Sequence, residues 1–194
     1  MRARAIPKLK PGRGLAENAA RTVAVRLAEL RSFAPAALTP EATAEQHDMR
    51  IAAKRLRYVL EATGFTLGEE GQAGLGGAKA LQGLLGDIHD CDVLLPRVEQ
   101  HIEGLKAEDA ISLRGAANGA LDLEPKLASL APHRTAYQGL ETLEVYLRAR
   151  RILLHDRFRE LWNEQGESGL WDRLEEAAER SLGEARERRK AARG

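Results

Sequence analysis

The chain has 194 residues, with 30 Lys and Arg against 29 Asp and Glu, so its formal charge of +1 creates no global field for nucleic acid or an anionic membrane. Apolar residues make up 43% and aromatic residues only 4%. Ala, Leu, Arg and Glu dominate over β-branched residues, which is helix-forming composition in a chain long enough to bury a core without disulfides. The single cysteine, Cys91, excludes an intrachain disulfide, fits a reducing compartment and is expected in the core.

No apolar run reaches the roughly 18 to 20 residues of a membrane span. The opening segment "MRARAIPKLKPGRG" is basic but lacks the apolar centre of a signal peptide, so a cytoplasmic location is expected. Residues 1–14 read as a solvated basic tail.

The periodic signal is helical almost throughout. A first helix is expected from about Leu15 to Phe33. In "LTPEA", Thr39 reads as an N-cap and Pro40 as the first helical residue of a second helix, ending near Gly64. "FTLGEEGQAGLGG" reads as a glycine-rich loop and "AKALQGLLGDIH" as a third helix. A bend or restart is expected between Gly86 and Pro96, with Asp90 or Asp92 as a cap. A less regular helical region follows over about Asp109 to Leu130, disturbed by Pro125, and "LAPHRTAY" reads as a connector. A long helix is expected from about Tyr137 to Trp162, and a charged C-terminal helix occupies residues 168–194 after Gly166–Gly169. The sequence shows no strand, no strict repeat and no clear boundary, so residues 1–194 read as one all-α domain, a bundle of long helices.

In "HDMRIAAKRLRYVLE", Met49, Ala53, Leu56 and Leu60 form an apolar stripe. His47, Arg50, Lys54 and Arg57 stack on the neighbouring face with no acid among them, and Arg55 lies off that face at its rim. Leu81, Leu85 and Ile88 form the stripe of the third helix, with Lys79, Gln82 and His89 to one side; Gly83 and Gly86 leave room for a close approach. In the long helix Leu143, Leu147, Leu154 and Leu161 form the stripe, flanked by Arg148, Arg151, His155 and Arg159. The shared offset on three helices suggests a basic cleft. Periodicity alone leaves a second reading open, in which these arginines cover the core edge and pair with acids on neighbouring helices.

Two segments carry a family resemblance. His47, Arg50, Lys54, Arg55 and Arg57 match H-x-x-R-x-x-x-(K/R)-R-x-R. Leu85, Gly86, His89, Asp90, Asp92 and Val93 match L-G-x-x-(R/H)-D-x-D-V. Together with "KLKPGRGL", they make the sequence resemble the CHAD family of histidine-containing helical domains, most specifically over about residues 8–105. The resemblance implies an all-helical fold whose basic central groove binds inorganic polyphosphate without catalysis, cofactor or metal. Larger members have two related halves, each with a histidine motif, and this sequence has one such motif.

The implied partner is inorganic polyphosphate, with association to polyphosphate granules as a further expectation and no nucleic acid or membrane partner. The candidate binding residues are His47, Arg50, Lys54, Arg55, Arg57, Lys79, His89, Arg148, Arg151 and His155. A polyanion without bases or apolar groups calls for spaced cations and guanidinium forks, and aromatic stacking for single-stranded nucleic acid is nearly absent here. Two alternatives stand beside this reading. The dipeptides His47-Asp48, His89-Asp90 and His155-Asp156 suggest an HD-type metal phosphohydrolase, although adjacent helical residues point about 100° apart. A helical protein-interaction module would need an exposed apolar strip beside the cations.

Overall fold

The computed structural model describes residues 3–192. It contains five α-helices, α1 (Leu15–Ala37), α2 (Thr43–Thr63), α3 (Gly68–Ala116), α4 (Arg134–Glu167) and α5 (Leu170–Ala191), and no strand among the described residues. Short 3-10 turns occupy Gly64–Leu67 and Pro125–Leu130. The all-α expectation is met.

By contact the chain forms two compact units, one made of residues up to His89 together with Leu154 onward, the other of Asp90–Leu153. In the first, α1 packs on α2 and α5. Its core contains Val23, Leu27 and Leu30 of α1, the whole stripe Met49, Ala53, Leu56 and Leu60 of α2, and Leu81, Leu85 and Ile88 of α3. Phe158 of α4 and Leu174 of α5 are also fully buried there. Each such large apolar side chain contributes about 1.5–3 kcal/mol on burial, so the two stripes read from the sequence account for much of this core.

In the second unit, Cys91, Val98 and Ile102 of α3 and Leu147 of α4 are buried. The α4 start is fixed here by Asp109, a buried carboxylate that accepts the backbone N–H of His133 at 3.0 Å. That bond satisfies a donor at the helix entry, where backbone N–H groups lack intrahelical partners.

Several boundaries differ from the sequence expectation. Thr39 does not cap α2. Its carbonyl accepts the Ala42 N–H at 3.1 Å, closing a turn with Pro40 in its second position. The Gln46 side chain, buried, donates to the carbonyls of Ala37 and Thr39 at 3.2 and 2.8 Å and ties the turn to the helix. The basic N-terminal segment is also held down from Arg4, whose backbone N–H bonds Glu29 and whose guanidinium bonds Ser32.

The largest correction concerns the glycines. "GEEGQAGLGG" is the first part of α3, not a loop. A Cβ on Gly71 would lie 2.0 Å from the Gly64 carbonyl oxygen, and one on Gly74 would lie 2.7 Å from Leu174 Cδ2. Absent side chains here let α3 approach the 3-10 turn and α5 closely, and that packing overrides the weak helix propensity of glycine. No restart separates Gly86 from Pro96 either. α3 runs through Pro96 to Ala116, so Asp90 and Asp92 are interior residues and cap nothing.

Candidate functional site: a basic face on the α2–α3 hairpin

Within the first unit, the 3-10 turn at Gly64–Leu67 reverses the chain and lays the start of α3 antiparallel to α2. The pairings show the direction: Glu61 meets Lys79 near the turn, Arg50 meets Gly86 further out, and His47 meets His89 furthest from it. The residues that lay beside the apolar stripes in the sequence are thereby gathered along one hairpin, because the stripes themselves must face the same core.

His47 and His89 are both half-buried, with Nδ1 atoms 3.3 Å apart and ring centroids 4.6 Å apart at 43°. A hydrogen bond between two Nδ1 atoms requires one ring to donate and the other to accept. While it holds, the pair carries at most one extra proton. Burial pushes the His47 pKa below its usual 6.5, and the nearby charges of His89 and Arg50 push it the same way, against an opposing contribution from Asp48.

Arg50 lies one turn along α2. Its guanidinium passes over Gly86, where an added Cβ would stand 3.7 Å from Nε. Arg50 is half-buried, and its Nε is buried without a hydrogen-bond acceptor among the described residues. Lys54, exposed, stands 5.7 Å over the Tyr58 ring, and the Arg57 guanidinium lies 4.6 Å from the same ring. Arg57 Nε has no hydrogen-bond acceptor among the described residues and lies 3.7 Å from the Glu61 carboxylate, beyond hydrogen-bond range. Lys79 reaches the other Glu61 oxygen at 3.4 Å. Gln82 on α3 adds a buried Oε1 without a hydrogen-bond partner among the described residues.

This face contrasts with the other arginines of the unit. Arg55, included in the sequence motif, turns to α1 and donates to Glu29 at 3.0 Å. Glu29 is 1% exposed and also takes Arg26 at 2.6 Å. Arg55 therefore joins a structural ion cluster between α1 and α2. Sequence reasoning missed Glu29 as its anchor, and no spacing signal links two residues on different helices.

The expected basic face on the long helix is also corrected. His155 is 1% exposed and packs edge-on against Phe158 with centroids 5.9 Å apart, so it belongs to the core of the first unit. Leu143, expected in the stripe, is exposed. In the second unit Arg151 is ion-paired with Asp92, while Arg148 takes both Glu99 and Glu144. The i,i+4 partner Glu144 was readable from the sequence; Asp92 and Glu99 come from α3 and were not. For Arg148 and Arg151 the reading of arginines paired with acids on neighbouring helices is the one observed.

Among the described residues, no three His, Cys, Asp or Glu side chains converge in a way that could hold a metal ion. No helix of the described residues is long and apolar enough to cross a membrane. What the hairpin offers chemically is a row of hydrogen-bond donors: imidazole, guanidinium, ammonium, guanidinium.

The sequence matches the CHAD domain family over residues 2–99, half of the chain, which includes all of α1, α2 and the His89-bearing part of α3. The chain belongs to the CHAD domain family. No curated protein and no solved structure matches it. The matched segment contains His47, Arg50, Lys54, Arg57, Lys79 and His89, whereas Arg148, Arg151 and His155 lie beyond it.

Proposed function

We propose that this CHAD domain binds inorganic polyphosphate along the α2–α3 hairpin, through Arg50, Lys54 and Arg57 with His47, His89 and Lys79 beside them, and catalyses no reaction on it. One observation carries the reading. Among the described residues Arg50 is a half-buried guanidinium with no carboxylate partner, while Arg13, Arg21, Arg26 and Arg55 in the same unit are each bonded to a glutamate. A half-buried cation without a counter-charge is costly, and an anionic ligand removes that cost. The register supports a linear ligand, since four cations and two imidazoles follow one another along the hairpin, with Arg50 lying over Gly86. Family membership points the same way.

Arg55, Arg148 and Arg151 are left outside this binding row because each is hydrogen-bonded to a carboxylate, Arg148 to two of them, whereas Arg57 and Lys79 approach the single Glu61 only at 3.7 and 3.4 Å. His155 is left out because it is buried. The reading includes a cytoplasmic location, which the single cysteine supports, and granule association would follow from binding long chains.

Binding to polyphosphates of defined length, measured by calorimetry over a salt series, tests the proposal. Affinity is expected to rise from tripolyphosphate to chains that reach from His47 to Lys79, and to fall steeply with salt, as in counterion release from other polyanions. Equal affinity for short and long chains, or tighter binding of single-stranded DNA at matched charge, would exclude it. A metal-dependent phosphatase or pyrophosphatase activity in the purified protein would favour the enzyme reading instead.

A further inference from the structure

A second concentration of arginine lies in the same unit, far along the sequence from the histidine motif. A cleft of about 440 Å³ is lined by the segment before α1, the start of α1, the 3-10 turn and the second half of α5. Its charged lining is Arg13, Arg180, Arg188 and Arg189 against Glu17 and Glu184. Four guanidiniums and two carboxylates leave an excess of two positive charges.

The floor of the cleft is Glu17, which is 5% exposed. Its Oε1 accepts from Arg13 at 3.0 Å and Arg21 at 2.8 Å, and its Oε2 accepts from Arg189. The Arg21 hydrogen bond, with Arg189 and Arg13 adding to it, holds the Glu17 carboxyl below the usual carboxylate range despite its burial. One carboxylate thus gathers three guanidiniums and compensates only one of them. At the mouth, Arg188 pairs with Glu184 at 2.9 Å and Arg180 with Glu176 at 3.7 Å. All four of these side chains are largely exposed, so each pair contributes little and its guanidinium is able to turn onto a ligand.

We infer that this cleft is a binding site for a small molecule bearing a phosphate dianion, either free phosphate or a phosphate ester. The excess of two charges matches a dianion, guanidinium forks grip phosphate oxygens in pairs, and the volume falls in the range of roughly 300–1,000 Å³ typical of small-ligand sites. Ser181 adds a hydroxyl to the lining for a further hydrogen bond. The cleft differs from the α2–α3 face in its residues and its concave form, and it stands whether or not that face binds polyphosphate.

The experiment is calorimetry on the full chain with inorganic phosphate and with glycerol 3-phosphate, using succinate as a dianion without phosphate. Saturable binding of at least one phosphate probe is expected, weaker by about tenfold or more in Arg180→Ala with Arg188→Ala, consistent with losing a charge-assisted hydrogen bond. It should be unchanged in Arg50→Glu with Lys54→Glu. Ser181→Phe, which fills the cleft without removing charge, should weaken binding similarly and decides the matter if the arginine double variant loses helicity. Tighter binding of the ester than of free phosphate identifies an ester as the ligand source, and the reverse identifies phosphate itself. Absence of saturable binding, succinate binding as tightly as either phosphate, or loss of binding only in the Arg50 and Lys54 variant would overturn the inference.

Discussion

His47 and His89 share one hydrogen bond between their Nδ1 atoms, 3.3 Å apart, across the α2–α3 hairpin. Each side chain sits beside an apolar stripe of its own helix, and packing the two stripes into one core brings the rings together. With a proton between the Nδ1 atoms, one Nε2 carries N–H and the other would take up a proton if an anion bound beside it.

Protonation should therefore be linked to binding. Burial, then His89 and Arg50, hold His47 below its usual pKa of 6.5, and a polyphosphate charge nearby would raise it. Complex formation should take up a fraction of a proton near pH 6.5, measurable by calorimetry in buffers of different ionisation enthalpy, and His47→Gln should remove that uptake. The stability of the free protein has the matching sign. The unfolded chain binds the proton first as pH falls, so this residue's contribution is full above about pH 6.5 and declines as pH drops toward the folded-state pKa. A melting temperature independent of pH between 7 and 5, with the wild type and His47→Gln behaving alike, would contradict it.

Charge reversal at the unpartnered cations should be specific. Arg50→Glu with Lys54→Glu removes two donors and adds repulsion, and each charge-assisted hydrogen bond is worth about 1.5–3 kcal/mol. Polyphosphate affinity should fall by about a hundredfold or more, with the helical circular-dichroism spectrum unchanged. Arg114→Glu with Arg134→Glu, at two exposed positions of α3 and α4, changes net charge equally and should cost severalfold at most, because binding is expected to follow the local row of donors rather than the net charge of the chain. Equal losses in the two double variants would mean that diffuse charge does the binding.

The glycines of α3 make a stability prediction independent of any ligand. Gly71→Ala would set a Cβ 2.0 Å from the Gly64 carbonyl oxygen, and backbone on both sides leaves no side chain to move aside. A loss of about 1–3 kcal/mol or more is expected from such overpacking. Gly83 lies in the same helix with nothing within 4 Å of an added Cβ, so Gly83→Ala should stabilise by about 0.5–1 kcal/mol through helix propensity. Chemical denaturation of the two variants checks the opposite signs.

The α2 and α3 stripes and the cations beside them were legible in the sequence because both depend only on helical period, which is local. Glycine read as punctuation failed at Gly71 and Gly74, where its meaning is set by Gly64 and Leu174. Pro96 failed similarly as a boundary, since α3 continues through it. The pairing of Arg151 with Asp92 and of Arg55 with Glu29 joins residues on different helices. A single sequence shows which cations share a face but not which of them have found an acid on another helix, and that distinction separates Arg50 from Arg151.

Arg55 puts that distinction to a direct test, because the sequence motif groups it with Arg50 and Arg57 while its guanidinium holds Glu29. Glu29 is almost fully buried and also accepts Arg26 and the backbone N–H of Arg4. Arg55→Ala removes one of its charge-assisted bonds and should destabilise the fold by about 1–2 kcal/mol, with polyphosphate affinity reduced less than about threefold at temperatures where the variant is folded. Glu29→Ala should cost more, about 3 kcal/mol, since it leaves both Arg26 and Arg55 without their carboxylate. Urea melts and polyphosphate titrations on the same samples separate the two roles. If Arg55→Ala weakens binding as much as Arg50→Ala while leaving stability intact, Arg55 leaves Glu29 for the ligand and belongs to the binding row after all.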